Sequence, residues 1–212
     1  MLKVGLTGGI AAGKSVVGEM FVALGAHLVQ ADRIAHSLME PGEAVYNEVV
    51  LRFGREILNP DCSVNRSKLA ELAFGGGADK RASRVEELNR IVHPAVIRSQ
   101  DEWMNAIGLQ DPQGVAMVEA ALLLEAGVAK RFDRLIVVTC SAEQRVARFA
   151  ARQKMDVESA RKEVTRRMAA QLPDEEKIKA ADYVIDNSGS IENTRGQVQS
   201  VWEKVRGEAG KL

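Results

Sequence analysis

The chain is poor in several things that would point to particular functions. Phe, Trp and Tyr together make up 4% of its 212 residues, too few for the stacking platforms of a single-strand nucleic-acid binder. It carries no surplus of one charge. Lys and Arg number 29 and Asp and Glu 29, for a formal net charge of zero, so no chain-wide basic field exists to hold a polyanion by counterion release. The two cysteines, Cys62 and Cys140, are far apart, and no C-x-x-C pair is present. A zinc ribbon is thereby excluded, and a reduced cytoplasmic protein with inert thiols is expected. Hydrophobic runs such as residues 115–118 and 120–124 are too short to cross a bilayer. Met1-Leu-Lys-Val-Gly runs straight into a motif, so no targeting segment is expected. The composition is that of a globular protein of one domain, with 46% hydrophobic and 27% charged residues.

The start of the chain is more specific. Residues 2–7 read as a short strand ending in glycines. From residue 14 to 24, Val16, Val17, Met20, Phe21 and Leu24 recur at helical spacing, and Gly25 stops the helix. Residues 26–30 read as a second strand. This is a βαβ unit, and hence part of a parallel sheet. Further strands are expected at 114–118, 134–140 and 182–186, with a closing helix over 191–205. Residues 33–105 are mostly helical, with breaks at Pro41-Gly42, Asn59-Pro60-Asp61, Gly75-Gly76-Gly77 and His93-Pro94. The glycine run reads as a flexible loop.

Between the first strand and helix lies Gly8-Gly9-Ile10-Ala11-Ala12-Gly13-Lys14-Ser15, a full match to G-x-x-x-x-G-K-[ST]. Glycines let main-chain N–H groups ring an anion, and the helix adds its unpaired amides and dipole. Lys14 would reach the β- and γ-phosphates, and Ser15 would ligate Mg²⁺. The base-reading Asn-Lys-x-Asp of GTPases and the Leu-Ser-Gly-Gly-Gln of ABC ATPases are both absent. A small-molecule kinase remains, which needs the loop, an acceptor base and an arginine clamp.

Asp32, just after the second strand, suits the base. Its alternative reading is an N-cap of a helix over 33–39. The clamp is sought in residues 145–167, which hold Arg145, Arg148, Arg152, Lys154, Arg161, Lys162, Arg166 and Arg167 against three acids. Arg145, Arg148 and Arg152 fall at i, i+3 and i+7, on one helix face. Asp156 caps a second basic helix, and the two suit a lid over a transferring phosphoryl. Arg148 and Arg152 are the chosen clamp. His27 reads as structural, and the two tryptophans as packing helices onto the body.

These segments together resemble the dephospho-coenzyme A kinase family. The likeness runs through Gly5-Leu-Thr-Gly-Gly-Ile-Ala-Ala-Gly-Lys-Ser15, Ala31-Asp-Arg-Ile-Ala-His36, Glu40-Pro-Gly42, Arg52-Phe-Gly54, His93-Pro94, Leu122-Leu-Leu-Glu125, Gln171-Leu-Pro173 and Ala181-Asp-Tyr-Val-Ile-Asp-Asn-Ser-Gly189. It implies an α/β three-layer P-loop kinase fold with a five-stranded parallel sheet of order 2-3-1-4-5. It also implies ATP-dependent phosphorylation of the ribose 3′-hydroxyl of dephospho-coenzyme A, with Mg²⁺. The nucleotide-binding core would be 1–32, 106–140 and 180–212, the coenzyme-binding subdomain 33–105, and the lid 141–179. Gly9, Ile10, Ala11, Ala12, Gly13, Lys14, Ser15 and Val16 would hold ATP, with Asn187 in the adenine-side loop. Asp32 would be the base, with His36 and His93 near the acceptor. A cytoplasmic monomer with no nucleic-acid or membrane partner is expected.

Three departures stand out. Gln30 replaces the first Asp of the family's Asp-Ala-Asp, Ala11 replaces a common glycine, and Ala121 replaces a proline. Glu119, ending the third strand, is the remaining candidate for the metal.

Overall fold

The computed structural model describes residues 1–74 and 84–211. The Gly75-Gly76-Gly77 run lies outside the described residues. Five strands form one parallel sheet: β1 (Leu2–Gly8), β2 (His27–Gln30), β3 (Val115–Glu119), β4 (Arg134–Thr139) and β5 (Tyr183–Asp186), in the order β2-β3-β1-β4-β5. The order is the expected one. Described helices are α1 (Lys14–Ala23), α2 (Ala31–Leu38), α3 (Ala44–Phe53), α4 (Arg66–Phe74), α5 (Val85–Gln110), α6 (Ala142–Gln153), α7 (Val157–Ala169), α8 (Asp174–Ala180) and α9 (Ile191–Ala209). None is long and apolar enough to cross a membrane.

The chain divides into two compact units, one of residues 1–30 and 104–212 and the other of 31–103. In the first, β1 and β3 are paired on both edges and read as near-continuous apolar runs, as buried parallel strands do. Alternation along β4 serves two cores. Ile136 and Val138 pack with Val17 and Phe21 of α1 and Val198, Trp202 and Val205 of α9, while Leu135 and Val137 pack with Leu123. Phe21 and Trp202 meet with ring centroids 6.4 Å apart. Gly25, at φ 109°, turns the chain out of α1, where the Ala26 amide bonds back to the Phe21 carbonyl.

The second unit has its own core of Val45, Val49, Phe53, Ile57, Leu69, Ala73, Val92, Ala95 and Val96. The turn before α4 is held from within: Asn65 donates to Asn59, Asn59 to the Ser63 hydroxyl, and Ser63 to Asp61. His93-Pro94 is not a break, because α5 runs through it from Val85 to Gln110. Proline there leaves the Arg90 carbonyl without its helical donor. Pro94 is on the exposed side, whereas Val92, Ala95 and Val96 are buried, and their burial outweighs the lost bond.

Candidate active site

The phosphate loop joins β1 to α1 at the carboxyl edge of the sheet, where open α/β sheets place ligands. Close packing dictates two of its glycines. A Cβ on Gly8 would lie 2.2 Å from the Val138 carbonyl oxygen, and one on Gly13 2.1 Å from Asn187 Nδ2. Gly13 sits at φ 94°, and Ala11 adopts a left-handed φ of 53° that an L-residue holds at some cost. The first intrahelical bond of α1 is Val17 N–H to Gly13 C=O, so the Ser15 and Val16 amides precede it, as an anion site requires. Lys14 Nζ curls over the loop and donates to the Gly8 and Gly9 carbonyls at 3.0 and 3.2 Å.

Other elements brace this loop. Ile10 is buried in the core of α6 and α7 with Val146, Phe149, Ala150, Ala160 and Val164. Arg148 donates to the Asn187 carbonyl at 2.9 Å and the Ala12 carbonyl at 3.4 Å. Asn187 is buried. Its amide donates to the same Ala12 carbonyl at 2.9 Å, and its Oδ1 accepts from Thr194 at 3.0 Å. The side chain thus holds the loop.

The basic helices are less uniform than their spacing implies. Asp156 caps α7 as expected, accepting from the Ser159 amide. Arg145 does not share a solvent-facing row with Arg148 and Arg152, because it is buried. Arg152 is exposed, with its guanidinium 5.7 Å from the Phe149 ring. Arg166 and Arg167 both pair with Glu163, and their hydrogen bonds pull its carboxyl down to about 2. Those two guanidiniums therefore share one local carboxylate.

Glu119 is the residue whose environment sequence reasoning undervalued. Its Oε1 accepts from the Ser15 hydroxyl at 2.8 Å, and its Oε2 from Gln30 Nε2 at 2.8 Å. Strand register makes this possible, since β3 pairs Glu119 with Leu6 of β1 on one edge and Gln30 of β2 on the other. The carboxylate is nearly buried. A hydroxyl and a carboxylate are hard oxygen donors of the kind Mg²⁺ takes in small number beside phosphate oxygens and water, so these residues fit the metal the motif implies. Among the described residues, no cluster of three or more His, Cys, Asp or Glu could hold a metal by itself.

Asp32, His36 and His93 belong to the second unit. Asp32 is exposed in the first turn of α2, which begins at Ala31, so it is a helical residue and not the cap. His36, one turn on, has its pKa lowered by partial burial and by Arg66, with Asp32 and Glu40 opposing. His93 is exposed on α5. His27 pairs with Asp111 at 3.1 Å, in keeping with a structural role.

A parallel five-stranded sheet with helices around it, this loop after its central strand, and a hydroxyl–carboxylate pair beside it define a P-loop kinase. The solved dephospho-CoA kinase from Campylobacter jejuni shares this fold, with a TM-score of 0.68 at 23% identity over 97% of this chain and 98% of the other. TT1252 from Thermus thermophilus superposes with a TM-score of 0.76 at 30% identity over 96% and 97%. The family model for dephospho-CoA kinase matches residues 2–193. A dephospho-CoA kinase from Aquifex aeolicus is 40% identical over 205 residues, covering 97% of this chain and 98% of the relative. The chain belongs to the dephospho-CoA kinase family.

Proposed function

We propose that the chain transfers the γ-phosphoryl of ATP to the ribose 3′-hydroxyl of dephospho-coenzyme A, giving coenzyme A and ADP. The observation that carries this reading is the braced loop with Ser15 and Glu119 meeting at its exit, within a chain of this family. The amides of the loop and of the first turn of α1 bind the phosphates. Lys14 exchanges its carbonyl partners for phosphate oxygens, which have the stronger claim on an ammonium. Ser15 and Glu119 would hold Mg²⁺, which when bound neutralises charge on the phosphate oxygens. Arg148, already at the Ala12 side of the loop, and Arg152 balance charge on the equatorial oxygens during transfer.

Asp32 takes the hydroxyl proton as the bond to phosphorus forms. Its place in the sequence just after β2, the strand that ends at Gln30, supports that role. His36 and His93 are assigned to the acceptor. His36 is favoured in its neutral form by its surroundings, and as such can donate or accept a hydrogen bond. The zero formal net charge and widely separated cysteines support a small-molecule acceptor and a cytoplasmic setting.

The test is to incubate the purified chain with Mg·ATP and dephospho-coenzyme A and weigh the products. One added phosphoryl on the acceptor, matched by ADP, is the expected result. Transfer to a nucleoside monophosphate or a shikimate-type alcohol instead, or ADP release that ignores the acceptor, would overturn the reading.

A further inference from the structure

Among the described residues, Arg145 is the largest of the fully buried side chains, and the transfer reading gives it no task. It sits in the first turn of α6, where Nε donates to the Cys140 carbonyl at 3.1 Å and Nη2 pairs with a carboxylate oxygen of Asp174. Its other face meets the phosphate loop: a Cβ on Gly9 would fall 2.0 Å from Nη1 and 3.0 Å from Cζ. Asp174 keeps 30% of its side-chain surface exposed, against 1% for Arg145. Burying a guanidinium costs much of its hydration energy, and three fixed contacts are needed to keep it there. The planar fork sets direction as well as charge, which a lysine in its place would not do. The pair also ties together two points 29 residues apart, spanning the segment that carries Arg148 and Arg152.

We propose that Arg145 is a positioning residue for the nucleotide phosphates. Oriented by Asp174 and by the Cys140 carbonyl, it fixes the main chain at Gly9 and places a permanent positive charge behind the loop amides. It acts through Gly9 and does not touch the reacting atoms. The inference rests on the nucleotide reading above and adds a residue to it.

Three variants test it: Arg145→Lys, Asp174→Asn, and the double change Arg145→Met with Asp174→Leu. The double variant removes both charges while keeping volume, a replacement that buried ion pairs often tolerate. ATP and adenosine binding are measured by calorimetry, and KM and kcat by ADP release. The double variant should bind ATP about 10–100-fold more weakly, the loss expected for a charged hydrogen-bonding partner. Adenosine affinity and the acceptor KM should hold, and kcat should change much less than the ATP KM. Arg145→Lys, which keeps the charge without the fork, should fall between.

Asp174→Asn alters only a partly exposed partner and keeps the fold testable should the buried changes unfold the chain. It too should weaken ATP binding and leave adenosine binding as it was. Unchanged ATP affinity in the folded variants, or an equal loss for adenosine, would overturn the proposal. A wild-type chain that fails to bind ATP at all would instead overturn the nucleotide reading.

Discussion

The two units of the chain carry their polar side chains in opposite ways. Around the phosphate loop, the groups of interest are tied to several elements at once. Ile10 is sunk among α6 and α7, Arg148 and Asn187 share the Ala12 carbonyl, and Ser15 and Gln30 hold the two oxygens of Glu119. In the unit of residues 31–103, Asp32 and His93 are exposed on helices. Among the polar ties described in that unit are those of the turn around Asn59 and the Arg52–Glu87–Arg84 pairs. Amides that must receive a polyanion have to be aimed before it arrives, or reorganisation consumes the gain.

Four changes would break or sharpen that contrast. The largest effect is expected for Asp32→Asn, which should lower turnover by about 10²–10⁴-fold in a coupled ADP assay. The melting temperature and ATP affinity should stay as they were, since the residue is exposed. Turnover near wild type would remove the base from this helix. Next is Phe53→Ala, in the core of the second unit. It should cost about 3–5 kcal/mol in urea unfolding. While the chain remains folded, the acceptor KM should suffer and ATP affinity should not.

Asn187→Ala is the counterpart on the loop side. It strips a donor from the Ala12 carbonyl and an acceptor from the Thr194 hydroxyl, at a cost of about 1–3 kcal/mol. Stability and ATP affinity should fall together there; a fall in one alone would mean the loop is not braced as described. The smallest effect belongs to Ala11→Gly. Release from the left-handed region is worth about 1–2 kcal/mol, and the added freedom of the unfolded chain returns about 0.4–1 kcal/mol. Calorimetry should show a slight gain in stability with nucleotide binding preserved.

The loop and the strands were legible in the sequence because each depends on local signals: apolar runs bounded by glycines, then a helical period. The strand order came with the family likeness. Glu119 was visible at a strand end, but its partners are set by register between strands distant in sequence, which spacing cannot supply. Arg145 misled for a geometric reason. Positions i, i+3 and i+7 do share a helix face, yet that face extends about 10 Å along the axis. It starts under the loop at Arg145 and reaches solvent by Arg152. Pro94 misled because the penalty for a proline inside a helix is a local rule, and the packing of Val92, Ala95 and Val96 overrides it.

Ile10 has a consequence for anyone recombining members of this family. Because its side chain belongs to the interior of the α6–α7 pair, residue 10 and that hairpin form one inheritable unit despite the more than 130 positions between them. A chimaera that imports the hairpin from a relative should import its partner at position 10 as well, or the seam will run through the anion cradle.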